Sequence, residues 1–172
     1  MEVASCGRRD GQSEVGGDLI GPNPTDRGKA GTKRSVLVDG DGGPLAVVVA
    51  GANTNDFKLL KDTLEAVVVE RPESRQHLCL DRGYDNAYGW LQSIDYGYEP
   101  HIRRIGEEKL DGRKRKTKKA RRWVVERTIG WLSKCRSILV RYEKKAANYL
   151  GLVHLACALI WFRRYYRLTV SG

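Results

Sequence analysis

A mixed α/β domain, one sheet covered by helices, follows from the order of apolar patterns along the chain. Near the start, two β-branched runs flank a cluster of turn residues. Beyond them, segments with apolar residues at helical spacing alternate with short apolar runs suited to strands. No internal repeat interrupts that order.

Residues 1–33 are rich in Gly, Ser, Asp and Arg and show little periodicity, so they read as an irregular leader to a domain over residues 34–168. Arg34-Ser-Val-Leu-Val-Asp39 and Leu45-Ala-Val-Val-Val-Ala50, on either side of Gly40-Asp-Gly-Gly-Pro44, predict an antiparallel hairpin. Thr54-Asn-Asp56 offers cap residues to a helix carrying Phe57, Leu59, Leu60, Leu64, Val67 and Val68. His77-Leu-Cys-Leu80 reads as a short strand ending on Asp81, with Asp85 as N-cap of a helix through Tyr88, Trp90, Leu91 and Ile94 that Gly97 stops. His101-Ile102 forms one more short strand, and helices follow over about 118–134 and 147–165.

At 172 residues, 41% hydrophobic and 30% charged, the chain suits one domain with a real core. A net charge of +10 and a pI near 9.6 favour nucleic acid as partner, because cationic surfaces gain affinity by releasing counterions condensed on phosphates. An acidic membrane surface or a ribosome would also fit, so charge supports binding and not catalysis. Cys6, Cys79, Cys135 and Cys157 are far apart and read as reduced thiols; His77, His101 and His154 are scattered, which leaves a His/Cys zinc site without its usual spacing. No basic-then-apolar signal opens the chain. The longest apolar run, Tyr149 to Phe162, falls short of the roughly 20 residues that span a bilayer and suits a buried helix. A cytoplasmic protein with no membrane partner is expected.

Chemistry concentrates around two acids. Arg113, Lys114, Arg115, Lys116, Lys118, Lys119, Arg121 and Arg122 place eight positive charges in ten residues, just ahead of Glu126. Asp81 follows a strand, and open α/β sheets place ligands at the carboxyl ends of their strands. The plainer readings are a turn-forming Asp81 and an exposed Arg122–Glu126 ion pair one helical turn apart. Gly130, one turn beyond Glu126, costs about 1 kcal/mol against Ala and leaves space beside the carboxylate. Magnesium is held by one or two carboxylates plus phosphate oxygens, so two such acids suit an ion on a phosphodiester. Trp123 and Trp131 suit stacking on an unpaired base, although packing is the expectation for Trp131.

Thr25-Asp-Arg-Gly-Lys29, Gly51-Ala-Asn53, Leu80-Asp-Arg-Gly-Tyr-Asp85 and Arg122-Trp-Val-Val-Glu-Arg-Thr128, in this order and spacing, resemble the DDE transposases of bacterial insertion sequences, in the broad group around insertion sequences four and five. The resemblance runs from Gly16 to Arg164 and is specific as a combination. It implies a ribonuclease H-like catalytic domain that cuts double-stranded DNA at an element's ends and joins them to a target. The implied cofactor is Mg²⁺, with Mn²⁺ as its substitute, and the implied state is nucleoid-associated, with a homodimer as one option.

Carried over residue by residue, Asp81 matches the second acid of the triad, Glu126 the third, and Arg122 an arginine that contacts DNA. The family's tyrosine falls on Lys119, and its lysine falls on Ser133, with Lys134 beside it. The first acid aligns with Gly7, and Asp10 is its nearest substitute. The resemblance therefore implies a catalytic part whose first strand is incomplete, acting with an upstream frame. The alternative is a catalytically dead DNA-binding remnant that modulates an intact transposase.

Overall fold

The computed structural model describes residues 3–13, 16–102 and 122–170. One mixed sheet organises them. Its main strands are β1 (Val3–Ser13), β3 (Ala30–Asp39), β4 (Pro44–Gly51), β5 (Gln76–Leu80) and β6 (Tyr98–Ile102), in the spatial order β4-β3-β1-β5-β6. The short β2 (Gly21–Pro22) pairs with the start of β3, and β7 (Val140–Arg141) with the end of β1. β4, β3 and β1 run antiparallel, while β1, β5 and β6 are parallel. Three antiparallel strands followed by two parallel ones form the mixed sheet that the resemblance implied.

Two expectations about the start of the chain are corrected. Residues 1–33 were expected as an irregular leader; they contain β1 and β2, and the boundary at residue 34 falls inside β3. The first strand, expected to be incomplete, is eleven residues long and lies at the centre of the sheet. It reads poorly because Gly, Arg and Asp interrupt its pattern. Pairing overrides that weak propensity: β3 matches it from Cys6 to Gln12 on one side, while β5 and β7 pair on the other.

The hairpin appears where expected, with Val36 opposite Val47. Its turn is set by Asp39, whose carboxylate accepts from the backbone N–H of Asp41 and Gly43. Helix α1 (Asp56–Glu65) follows, then α2 (Ala87–Asp95), whose cap is Asn86 and not Asp85: the Asn86 side chain accepts from the Gly89 N–H at 2.9 Å. Asp85 instead accepts from the Trp90 indole at 3.3 Å. Helices α3 (Arg122–Leu132), α4 (Arg136–Leu139) and α5 (Ala146–Val170) complete the described fold.

Strand alternation assigns the two faces. Val36, Val38, Val47 and Val49 pack against Val124, Val125, Ile129 and Leu132 of α3 and against Tyr149, Val153 and Ala156 of α5. On the opposite face Leu37, Ala46, Leu78 and Leu80 pack with Leu60 and Leu64 of α1 and with Tyr84, Tyr98 and Ile102. Each such aliphatic side chain stabilises the fold by about 1.5–3 kcal/mol relative to exposure. Buried Arg34 and Arg141 tie the α3 side together: Arg34 donates to the Ile138 carbonyl and the Tyr149 hydroxyl, and Arg141 to Thr32 and to the carbonyls of Glu143 and Lys144.

The last helix is longer than expected, at 25 residues, because the arginines that end its apolar run are good helix formers. By length and composition alone it is long and apolar enough to cross a membrane. Its Tyr149, Val153, Ala156 and Cys157 stripe packs on the sheet. Farther along, Trp161 donates to the Pro44 carbonyl at 2.8 Å and Arg164 bridges Asp39 and Asp41, leaving Phe162, Tyr165 and Leu168 exposed.

Candidate active site

Asp81 stands one residue beyond β5, half-buried, with its carbonyl accepting from the Tyr84 N–H of the following 3₁₀ turn at 2.9 Å. Leu78 and Leu80 point to the α1 side, so the alternate row of β5, His77 and Cys79, belongs to the opposite face, the one α3 covers. Continuing that alternation puts Asp81 on the α3 side. Glu126 lies on α3 itself, exposed, one residue past the buried Val124 and Val125 that dock the helix on the sheet. Both acids thus belong to one face. Gly130, one turn on, has open space where a side chain would stand.

Register bears on Gly7, the residue that the resemblance aligns with the first acid. Cys6 pairs with Leu80 in the parallel ladder, so Gly7 is level with Asp81. Across the antiparallel ladder Gly7 pairs with Val36, which belongs to the α3 face. Asp10 pairs with Lys33, whose side chain reaches α1 through an ion pair to Asp56 at 3.0 Å. Its backbone lies three residues, about 10 Å, beyond the level of Asp81. In the ladder Asp10 is therefore not level with Asp81.

Of the cations expected on DNA, residues 113–121 lie outside the described residues; Arg122 opens α3, and Lys134 is exposed just past its end. Trp131, expected to pack, is exposed, as is Trp123, because the residues that dock α3 are Val124, Val125, Thr128, Ile129 and Leu132. The Arg127 guanidinium lies 4.7 Å from the Trp123 ring and 4.9 Å from the Trp131 ring, one helical turn from each, and donates to the Asp41 carbonyl. That arrangement keeps two aromatic faces at the surface beside Glu126.

The quoted motifs fold as local devices. Gly21 has no room for a Cβ, which would meet the Asn53 side chain at 2.0 Å, so Gly51-Ala-Asn53 clamps the end of β4 onto β2. In Thr25-Asp-Arg-Gly-Lys29, the Asn23 side chain accepts from the Thr25 N–H at 3.0 Å, and Arg27 and Gly28 take positive φ. One cluster escaped the sequence reading. His77, Glu99 and His101, dismissed as scattered, converge on the β5–β6 pair. The signal was present as alternation, since His77-x-Cys79 and Glu99-x-His101 each place two ligand types on one face, but the partnering of the two strands was not visible.

A ribonuclease H-like sheet with an Asp-Arg-Gly-Tyr turn after its inner parallel strand and an Arg-Trp-Val-Val-Glu helix over the same face defines a polynucleotidyl transferase. The family model of the transposase DDE domain matches residues 6–161, which includes most of β1. A protein named as transposase for insertion sequence element IS402 in Burkholderia cepacia is 36% identical over 146 residues, which is 81% of this chain and 67% of that relative. The chain belongs to the DDE transposase family, whose members act on DNA with divalent metal ions.

Proposed function

We propose that this chain cuts DNA at the ends of an insertion sequence and joins them to a target by phosphoryl transfer, with Asp81 and Glu126 holding Mg²⁺ or, in its place, Mn²⁺. What supports the reading is that strand alternation assigns Asp81, just past the end of an inner parallel strand, to the sheet face on which α3, the helix carrying Glu126, packs against β1 and β3. Two carboxylates from separate elements fit a hard ion that takes oxygen ligands and completes its shell with water and phosphate. When bound, such an ion neutralises charge on the phosphate and favours ionisation of the attacking hydroxyl. The chain's own part is to hold the strand. Lys134, Arg122 and the cations of 113–121 neutralise the backbone, and Trp123 and Trp131 offer faces to unpaired bases at a cut end. Double-stranded DNA is the substrate, the cytoplasmic nucleoid the place, and a homodimer the arrangement that would hold two ends together.

A second reading, a DNA-binding remnant without catalysis, has one observation in its favour: the position level with Asp81 on β1 is Gly7, which brings no carboxylate. One experiment separates the two. Cleavage of an end-containing duplex in Mg²⁺ should fall by roughly 100-fold or more in Asp81→Ala and in Glu126→Ala, since metal stabilisation of transition-state charge is worth several kcal/mol. DNA affinity measured alongside should stay near that of the unaltered chain. Cleavage that survives both substitutions would end the catalytic assignment; no cleavage by the unaltered chain would favour the remnant.

A further inference from the structure

We propose that His77, Glu99 and His101 form a zinc site on the β5–β6 pair, separate from the carboxylates of the transposase centre and independent of that assignment. In the parallel ladder His77 is level with Glu99 and Cys79 with His101, so the three side chains share the face of the sheet that does not meet α1. Their donor atoms lie within 4.8 Å of one another. His77 Nδ1 is 2.8 Å from His101 Nε2 and 3.3 Å from a Glu99 carboxylate oxygen. In a tetrahedral zinc site, bonds of about 2.0–2.1 Å set donors about 3.3 Å apart. The His77–Glu99 separation already matches that spacing and the two imidazoles reach it by moving about half an ångström apart, while the third pair lies within 4.8 Å; a water completes the shell.

Donor chemistry chooses the ion. Two neutral imidazoles and one carboxylate suit zinc, whereas magnesium requires oxygen ligands in near-octahedral array. Magnesium therefore does not compete effectively for the histidine site. Along the ladder His77 and Glu99 lie four residues, about 13 Å, before the level of Asp81, and His101 lies two residues before it on the neighbouring strand. Arg75 Nε holds the same Glu99 oxygen at 3.0 Å, which orients the carboxylate beside the two imidazoles. All three donors are at least partly exposed, so an ion reaches them without opening the core.

The consequence is mechanical. Among the described residues β6 pairs only with β5, so it is an edge held by one neighbour. An ion bonded to both strands cross-links that edge at the point where the chain leaves for the cationic segment. Binding to the folded chain adds stability in proportion to the logarithm of zinc over Kd.

The test uses the whole chain in millimolar Mg²⁺ and adds zinc chloride. Isothermal titration calorimetry should show a site of one ion per chain that His77→Asn or His101→Asn weakens by about tenfold or more. Thermal melts should rise with zinc in the unaltered chain and respond less in either variant. A measurement without substitutions guards against variants that misfold: zinc should protect His77 and His101 from carbethoxylation, read by mass spectrometry, while the exposed His154 reacts as before. Equal protection of all three histidines, or zinc affinity unchanged in the double variant, would overturn the site.

Discussion

Asp39 shows how one buried carboxylate joins three parts of the chain. One oxygen accepts from the N–H groups of Asp41 and Gly43 at 2.9 and 2.8 Å, and the other takes Arg164 Nη1 at 2.7 Å. The β3–β4 turn and the far end of α5 therefore share one acceptor. Its neighbour Gly43 has no space for a Cβ, which would meet the Trp161 ring at 2.6 Å. Asp39→Ala would strand two backbone donors and the Arg164 charge together. Leaving a buried donor unmet costs about 1–3 kcal/mol, so the variant should lose about 2–4 kcal/mol. Urea unfolding should report this as a lower midpoint with little change in slope. Asp39→Asn, which keeps an acceptor oxygen but drops the charge, should lose less; an equal loss would show that shape and not acceptance matters there.

At the scale of elements, β1 sets the limit of what the sequence revealed. Strands β3 and β4 were legible because β-branched residues alternate around a turn cluster, and α1 because Leu59, Leu60 and Leu64 keep helical spacing. β1 was not, since the pairing that makes it a strand is with residues 31–39 and 79–80, remote in sequence. The same long-range register decides the site. Asp81 and Glu126 were readable as motif residues, and the resemblance aligned the first acid with Gly7, the residue the ladder makes level with Asp81; Asp10, offered as a substitute for its nearness along the chain, lies three residues on. An expected outcome follows: Gly7→Asp, which restores a carboxylate to that level, should raise Mg²⁺-dependent cleavage on the order of tenfold or more, and Asp10→Ala should leave it nearly unchanged. Time courses of duplex nicking measure both. A silent Gly7→Asp together with a damaging Asp10→Ala would reverse the register argument.

Across the whole molecule, charge acts at two depths. Inside, burial pushes the Cys157 thiol from its ordinary 9.0 up to about 11 and raises the Tyr149 hydroxyl as well. The folded state favours the protonated thiol, so that contribution is complete below pH 9 and is lost as pH rises towards 11. Melting temperature should decline over that window, and Cys157→Ala should flatten part of the decline. Outside, the net charge of +10 includes the eight cations of residues 113–122, and their effect is read in salt. If these side chains track phosphates, the logarithm of DNA affinity falls with the logarithm of salt by about 0.9 for each phosphate neutralised. Replacing Lys114, Lys116, Lys118 and Lys119 by Gln should then flatten the slope by up to about 3.6, while Asp81→Ala should leave it as it was. Fluorescence anisotropy over a salt series resolves the difference. An unchanged slope in the four-Gln variant would move the DNA path off this segment, and Arg122, Lys134 and the exposed tryptophans of α3 would have to carry the contact alone.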